Sequence, residues 1–314
     1  MGKRIALILM YETNKISYIK HDAIDSEKWN RCIDMAQNCR IYAYDWHLDR
    51  TAVHWDALVY GDYKYVMPLP VRKKLGIKYV YQPLYSQQLG IFPTPSANIL
   101  HVFISKIKEE FSYFDVQLNS ENIPGKGDKV VFAERKNFLL PLMKDFDEIK
   151  SGYSKNTKRN IAKAQKNGLT LIEGIRLETY LDFKTKNLPP GHGKDAIRKL
   201  KSLIAYGEYK GFGKIYGAFS KKNELCAAVY FCRWKDRVIY FNAVSNDEGK
   251  KLGAMFFLLN RFIENNAGKN LTLDCEGSEM PGVARFYHGF GANPETYFQL
   301  KFNRLPLPLR WLKR

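Results

Sequence analysis

Short segments in which apolar and polar positions alternate are spread along the chain, and turn-forming residues separate them. This is the pattern of half-buried β-strands, and the segments are rich in Val, Ile, Tyr and Phe. Strands are predicted in the first half at 56–60, 63–72 and 77–84, and in the second half at 214–219, 225–234 and 237–245. The apolar run at 4–10 is also predicted to be a buried strand, because it is too short for the core of a signal peptide.

The predicted elements follow the same order in both halves. Each half continues with a helix, a strand and a closing apolar segment, at 97–111, 113–118 and 132–142 and again at 252–266, 270–277 and 297–307. Corresponding elements are separated by about 155–165 residues. We therefore predict a mixed α/β (α+β) fold of two tandem units, 1–145 and 146–314, each with a central mixed sheet flanked by helices.

A helix is predicted at 154–168, with Ser154 as its N-cap and Gly168 as its C-terminal stop. Its basic residues gather on one side, opposite Ile161 and Ala164, and they are Lys155, Lys158, Arg159, Lys163 and Lys166. Such a face repels itself unless an anion or an acidic surface lies against it. A solvated basic helix is the alternative.

The whole chain is basic. It has 50 Lys and Arg residues against 32 Asp and Glu residues, a formal net charge of +18. This balance favours anionic partners, such as nucleic acid, phosphate-bearing cofactors or acidic lipid headgroups. A basic, solvated surface would give the same balance, and charge alone does not choose among these partners.

The composition fits a soluble, cytoplasmic protein. Hydrophobic residues make up 45% of the chain, enough for a substantial core, and no apolar run approaches the roughly 20 residues of a membrane span. The five cysteines include no C-x-x-C pair, which indicates reduced core cysteines rather than a disulfide framework or a zinc site. His47 and His54 lack metal-ligand spacing, so no metal is expected.

The second half resembles the GNAT acyltransferase fold, and the doubled arrangement resembles the FemABX-like branch, in which two such units lie in tandem. Three features carry the likeness: the basic segment 154–169, the strand, loop and helix at 237–262, and the ending 286-FYHGFGA-292. The resemblance covers most of residues 150–307. The residues 286–292 are expected to form a sharp turn, with Phe286 and Phe290 anchored in the core.

The resemblance implies transfer of an acyl or aminoacyl group to an amine. FemABX-like proteins take an aminoacyl group from charged tRNA and place it on an amine of a peptidoglycan precursor, and other members of the wider group use acyl thioesters. The donor would then be a charged tRNA, acyl-CoA or an acyl carrier. In GNAT proteins the loop before the central helix binds the pyrophosphate of acyl-CoA. The residues matched to this donor site are Asn242, Val244, Ser245, Gly249, Lys250, Lys251, Gly253 and Ala254, with Met255 where the family has a small residue. An ordinary capped helix is the alternative.

The first unit has Pro93 and Pro95 where that loop would be, so it is expected to bind no CoA and to lie on the acceptor side. The substrate-binding candidates are Tyr44, Trp46 and Trp55 for the acceptor, with buried aromatics as the alternative, and Lys155 and Arg159 for the donor.

Four residues are candidates for catalysis. Asp274 and Glu276 alternate along a predicted strand and are expected to share a face, so that one carboxylate acts as general base. Carboxylates paired with cations at a strand end are the alternative. The resemblance makes Tyr287 the general acid. His192, in the loop 188–195, is a candidate lid residue or proton carrier, with a surface histidine as the alternative.

A different class of function is also open. A catalytically silent GNAT-fold module would use the basic helix to bind RNA or an anionic membrane surface. The tail 301–314 mixes Leu, Trp and basic residues and is a second candidate for peripheral membrane contact, although docking onto the fold is favoured.

Overall fold

The computed structural model describes residues 15–125, 131–188, 193–277, 280–307 and 310. The predicted strand at 4–10 lies outside the described residues. The helices are α1 (Ser26–Met35), α2 (Asp45–Thr51), α3 (Ala97–Glu110), α4 (Phe146–Ser151), α5 (Lys155–Lys166), α6 (Leu177–Lys186), α7 (Lys194–Tyr209), α8 (Asp247–Leu252), α9 (Ala254–Asn266) and α10 (Pro281–Gly289). Short 3-10 turns lie at His21–Ala23 and Ile41–Ala43.

The strands are β1 (Ile16–Ile19), β2 (Trp55–Tyr60), β3 (Tyr65–Lys74), β4 (Ile77–Tyr81), β5 (Tyr113–Gln117), β6 (Val131–Pro141), β7 (Thr170–Glu173), β8 (Gly213–Phe219), β9 (Leu225–Trp234), β10 (Arg237–Ser245), β11 (Thr272–Asp274) and β12 (Asn293–Asn303). Helices and strands are interspersed along the chain, and both parallel and antiparallel pairs occur. The predicted mixed α/β class is therefore confirmed.

The contacts divide the chain into two units. The first runs up to Arg135 and also includes the chain from Thr296 onward, and the second is Lys136–Glu295. In the first unit β1, β2, β3 and β4 pair in that order as antiparallel neighbours. β4 and β5 pair in parallel, and β5 pairs antiparallel with the end of β12.

The second unit contains the sheet order β6, β11, β10, β9, β8, β7. β10 and β11 are parallel, and the other neighbours are antiparallel. α9 packs against β8 and β9, where the rings of Phe231 and Phe262 stack with their centroids 3.7 Å apart. In both units three antiparallel strands, a helix and a further strand follow one another, as the sequence predicts. An origin by tandem duplication stays a prediction.

The unit boundary differs from the predicted division at 145 and 146. It falls at Arg135, and the closing strand returns to the first unit. The reason is main-chain pairing, because Gln299–Asn303 of β12 forms an antiparallel ladder with Tyr113–Gln117 of β5. The guanidinium of Arg135 also donates to Gln299 Oε1, with its Nε 3.1 Å away.

α5 forms where the sequence predicts a helix. The Ser154 hydroxyl oxygen accepts the Thr157 N–H at 3.1 Å, which makes Ser154 the N-cap, and Gly168 beyond the helix has a φ of +67°. Thr157, Ile161 and Ala164 are buried, and the basic residues of the opposite side are exposed. The predicted one-sided cationic helix is therefore present.

A buried histidine of the first unit gives the fold a pH dependence. His47 is 1% exposed, and its Nε2 lies 2.8 Å from the Tyr85 carbonyl oxygen. Burial lowers the pKa of His47 from 6.5 to about 4, with a smaller contribution in the same direction from Arg50. As the pH falls from 6.5 towards 4, the unfolded chain therefore binds a proton that the folded protein does not bind, and the free energy of unfolding decreases.

We predict that this histidine accounts for a measurable part of acid destabilisation. The wild-type protein should lose on the order of 3 kcal/mol through His47 between pH 6.5 and pH 4. His47→Gln removes this titrating group, so the free energy of unfolding measured in urea should decrease less between pH 6.5 and pH 4. His288→Gln, at an exposed position, serves as the control. Parallel pH curves for wild type and His47→Gln would contradict the prediction.

Candidate functional site

A cavity of about 550 Å³ lies in the second unit, where two parallel strands separate. β10 and β11 pair at three positions, Arg237–Ile239 with Thr272–Asp274. Beyond them β10 continues beside β9 as far as Ser245, whereas β11 ends at Asp274. The gap between the strands becomes the cavity, which Asn242 and Ser245 line.

Most side chains around the cavity are apolar, and they come from several elements. β10 contributes Tyr240, Phe241 and Ala243, and the first turn of α9 contributes Met255 and Phe256. Further walls are Cys275–Gly277 after β11 and one face of α10. Tyr240 through Ala243 all line the cavity because the register of β10 against β9 shifts between Tyr240 and Asn242, which interrupts the usual alternation of side chains.

Asn242 is held in place by a tyrosine of α6. The Tyr180 hydroxyl on α6 donates to Asn242 Oδ1 at 2.6 Å. Tyr180 is fully buried, so this bond is shielded from water. The orientation of the Asn242 amide is thereby fixed at the cavity wall.

Asp274 and Glu276 do not share a face, so that prediction is wrong. Regular strand geometry stops at Asp274, and Glu276 has a φ of +54°. Asp274 Oδ1 accepts the Glu276 N–H at 3.0 Å, which stabilises the turn. Asp274 is buried away from the cavity, whereas Cys275 and Glu276 line it. Glu276 is thus the carboxylate that the strand end presents to the cavity.

Asp274 instead pairs with Arg237. The Arg237 Nη1 lies 2.7 Å from Asp274 Oδ2, and its Nη2 lies 3.8 Å from Glu295 Oε1. Arg237 begins β10 and Asp274 ends β11, so the ion pair joins the two strands within the short ladder from which they separate. The alternative of a carboxylate paired with a cation is the one that the structure shows for Asp274.

The expected sharp turn at 286–292 is largely a helix. α10 covers Pro281–Gly289. Proline is well tolerated at the start of a helix, because an N–H group at that position would have no intrahelical acceptor. The helix places Val283, Phe286 and Tyr287 at i, i+3 and i+4 spacing, so all three reach the cavity. Of the two expected anchors, Phe290 is buried and Phe286 is half-buried.

A glycine allows α10 to approach α5 closely. A Cβ at Gly289 would lie 2.5 Å from Thr157 Oγ1, which is inside van der Waals contact. The Ser154 N–H also donates to the Gly289 carbonyl oxygen at 2.9 Å. The end of α10 is therefore fixed against the beginning of α5, which in turn fixes Tyr287.

Tyr287 is buried and lines the cavity, and among the described residues its hydroxyl has no hydrogen-bond partner. Burial raises its pKa above the ordinary tyrosine value, and the nearby carboxylates of Glu276 and Asp274 act in the same direction. The hydroxyl is therefore protonated at neutral pH and can donate a hydrogen bond to a bound group. The neighbouring Tyr240 hydroxyl donates to Met255 Sδ at 2.8 Å.

The loop expected to bind pyrophosphate is a short helix, α8. Its N-cap is Asn246, whose Oδ1 accepts the Gly249 N–H at 2.7 Å and whose carbonyl oxygen accepts the Lys250 N–H at 3.0 Å. Gly253, with a φ of +74°, separates α8 from α9, and a Cβ there would lie 3.1 Å from the Asn160 carbonyl oxygen of α5. Several N–H groups of the expected loop are thus bonded within the protein. The first turn of α9, with the unpaired N–H groups of a helix start, faces the cavity.

The predicted donor residues divide into two groups. Those that line the cavity are Asn242, Ser245, Gly249, Lys250 and Gly253. Val244 and Ala254 are buried and Lys251 is exposed, and none of these three lines the cavity. The alternation of β10 explains Val244, whose side chain points to the other face of the sheet.

The remaining candidates lie elsewhere or cannot be placed. Lys155 and Arg159 are exposed on α5. In the first unit Tyr44 and Trp55 are buried and donate to Asp34 and Asp49, while Trp46 is half-buried. Contact with an acceptor stays a prediction for these aromatics. His192 lies outside the described residues.

Several cavity residues were not candidates from the sequence. They include Tyr240, Phe241, Phe256, Cys275 and Val283, and also Phe286, which the sequence places in the core. The sequence signal that identifies Val283, Phe286 and Tyr287 together is their helical spacing after Pro281. Cys275 offers no such signal, because strand alternation places it opposite Glu276.

No family model matches the sequence, and no curated protein matches it. Solved structures do match the fold. A crystal structure of FemX has a TM-score of 0.64 at 12% identity and covers 92% of this chain and 98% of its own. A conserved protein of unknown function from Bacteroides thetaiotaomicron has a TM-score of 0.59 at 10% identity, covering 91% and 99%. The structure of L-PGS from Bacillus licheniformis has a TM-score of 0.54 at 8% identity, covering 92% and 94%.

These similarities establish the fold. The expected FemABX- and GNAT-like architecture is confirmed, since the matches cover nearly the whole of both chains. Within the part of the chain that the structure describes, no helix has the length and apolar character needed to cross a membrane.

We predict that the Arg237 and Asp274 ion pair holds the strands together where the cavity begins. Asp274 is 3% exposed, so Arg237→Met leaves a buried carboxylate without its cation and should lower the free energy of unfolding by about 2 kcal/mol or more. The double variant Arg237→Met with Asp274→Asn should recover a large part of this loss. Urea unfolding of both variants measures the effect. A change below about 0.5 kcal/mol in Arg237→Met would contradict the assignment.

Proposed function

We propose that the protein transfers an acyl or aminoacyl group from an activated donor to an amine, and that the cavity beside β10 is the reaction site. The observation that carries the proposal is the meeting of the Glu276 carboxylate and the protonated Tyr287 hydroxyl in one largely apolar cavity. The fold shared with FemX supports an acyltransferase class.

Each of the two groups fits one requirement of the reaction. An amine acceptor is an ammonium ion in solution, and Glu276 is placed to take its proton before or during attack on the donor carbonyl carbon. The new C–N bond forms as the carbonyl oxygen becomes an oxyanion, to which Tyr287 donates a hydrogen bond. Collapse of the intermediate breaks the bond to the carrier, and the carrier's oxygen or sulfur leaves with the second proton of the attacking nitrogen, while Glu276 releases the first to solvent. Protonation of the leaving group by Tyr287 stays a prediction.

Cys275 is a third reactive group in the cavity, but its properties argue against a covalent acyl-cysteine intermediate. Burial raises the pKa of its thiol well above the ordinary value, and the nearby Asp274 raises it further. A thiol attacks a carbonyl efficiently as thiolate, and this thiol remains protonated at neutral pH. Direct attack by the amine is therefore the favoured route.

The basic helix α5 suits a polyanionic carrier on the donor. Its carbonyl oxygen at Asn160 lies beside Gly253, and the Asn167 Nδ2 donates to the Leu252 carbonyl oxygen at 3.4 Å. α5 therefore packs against the wall that α8 and α9 form, and its cations are exposed to a phosphate-bearing carrier. Charged tRNA, acyl-CoA and an acyl carrier all bring phosphates, and each remains a proposed donor.

The same helix would also serve a catalytically silent module that binds RNA or an anionic membrane surface. The exposed cations of α5 can bind an anionic partner without any reaction, and they are the observation that favours this second candidate. An acyltransferase would form a product whose amount depends on the cavity residues, whereas a silent module would form no product.

Amine transfer gives the decisive test. The protein is incubated with bulk charged tRNA or a panel of acyl-CoAs, and with either lysine or hydroxylamine as acceptor, and the N-acyl products are measured by mass spectrometry. Hydroxylamine is largely unprotonated at neutral pH, so it needs no general base. Glu276→Gln should lower transfer to lysine by about 100-fold or more and transfer to hydroxylamine far less.

Tyr287→Phe should lower transfer to both acceptors by about 100-fold, because it removes a donor to the oxyanion. Glu224→Gln and Tyr209→Phe, at exposed positions, are the matched controls. If Glu276→Gln lowered transfer to lysine and to hydroxylamine equally, this result would contradict the role of Glu276 as general base. Salt-dependent RNA or vesicle binding without any product would favour the silent module.

A further inference from the structure

We propose that the cavity selects a bulky apolar acyl group, of branched aliphatic or aromatic type. This inference rests on the proposed function and names the substrate class of the same site. Such an acyl group can be supplied as an aminoacyl ester or as an acyl thioester, and these two donors differ in their carrier.

The first observation is the chemistry of the walls. Met255 and Phe256 from α9, and Val283 and Phe286 from α10, are apolar side chains that remain half-exposed because they face the cavity. The ring of Tyr240 completes this surface from β10, with its hydroxyl turned to Met255 Sδ. Water against such walls is released when an apolar group enters, which favours binding in proportion to the area covered.

The second observation is the charge that the walls lack. Among the described residues of the lining, Lys250 and Glu276 are the charged ones. Lys250 is 68% exposed and lies 2.8 Å from Asp247, and Glu276 is assigned to the acceptor ammonium. A cationic or anionic side chain on the acyl group would therefore lose its hydration without gaining a counter-charge.

Two polar side chains of the lining are bonded to the protein, and the Tyr287 hydroxyl is assigned to the oxyanion. Asn242 Oδ1 accepts from Tyr180, and the Ser245 hydroxyl donates to the Cys226 carbonyl oxygen at 3.2 Å. These bonds turn Asn242 Oδ1 and the Ser245 hydroxyl proton towards the protein rather than towards a polar substituent. A site built to recognise a hydroxyl or amide on the acyl group would present unpaired partners for it.

The size of the cavity agrees with a bulky group. A volume of about 550 Å³ falls in the usual range of small-molecule sites, roughly 300–1,000 Å³. A methyl or hydrogen substituent would leave most of the apolar wall in contact with water. Met255 is unbranched, so it adapts to acyl groups of different shape.

The test compares stable donor analogues that differ in the acyl group alone. One series consists of 3′-amino-3′-deoxyadenosine acylated with Leu, Phe, Ala, Lys or Asp, and the other of acetyl-, isovaleryl- and phenylacetyl-CoA. Binding to the full chain is measured by calorimetry. We expect the bulky apolar member of at least one series to bind about 10-fold or more tightly than the small and charged members.

The outcome also assigns the carrier. Selectivity confined to the adenosine series indicates an aminoacyl ester, and selectivity confined to the CoA series indicates a thioester. Equal binding across a series, or tighter binding of the Lys or Asp analogue, overturns the inference and leaves the proposed function standing. If no analogue in either series binds, the donor site itself is refuted, and the inference falls with the proposed function.

Two variants locate the selectivity. Val283→Glu places a carboxylate in the apolar wall, so it should weaken binding of the Phe analogue by about 10-fold. The preference for the Phe analogue over the Lys analogue should become smaller or reverse. His288→Glu adds the same charge to an exposed position of α10 and should leave the order of affinities unchanged. Phe286→Ala should weaken the Phe analogue more than the Ala analogue, and thermal melting checks that all three variants are folded. Unchanged selectivity in folded Val283→Glu and Phe286→Ala would refute the placement of the group.

Discussion

The site depends on the short parallel ladder between β10 and β11. Three paired positions and the ion pair of Arg237 with Asp274 hold the strands side by side, and beyond them the strands separate. Two parallel strands that stayed paired would leave no room between them. Because the ladder ends at Asp274, the next two residues turn and present a thiol and a carboxylate to the gap.

The gap becomes a cavity because helices close it at fixed positions. The two helices, α9 and α10, are both supported by α5. Gly289 at the end of α10 approaches Thr157, and Gly253 at the start of α9 approaches Asn160. Both contacts exclude a Cβ or leave little space for one. The placement of Tyr287 therefore depends on glycines that contribute no chemistry, and on the Ser154 N–H that binds the Gly289 carbonyl oxygen. Apolar side chains then give the cavity its character, with Glu276 as its carboxylate.

The sequence predicts the regular elements well and the site geometry less well. Strands such as β9 and β10 and the capped helix α5 follow from local periodicity and from Ser154, which act within a few residues. The turn at Glu276 does not, because a positive φ at a glutamate has no pattern of its own and Asp274 looks like any alternating strand residue. The sequence predicts a turn where α10 ends because Gly289 and Gly291 are turn residues, although Gly289 serves close packing instead. The return of β12 to the first unit depends on pairing with β5, a contact between residues far apart in sequence.

The central claim is that the transferred group lies between the separated strands, against Glu276 and Tyr287. Photo-crosslinking tests this directly, with a donor analogue whose acyl group carries a diazirine and with the labelled peptides identified by mass spectrometry. The account predicts labels at 240–243, 255–256, 275–277 and 283–287, which excess unlabelled analogue removes. Specific labels confined to the basic surface of α5, with none in these segments, would contradict it.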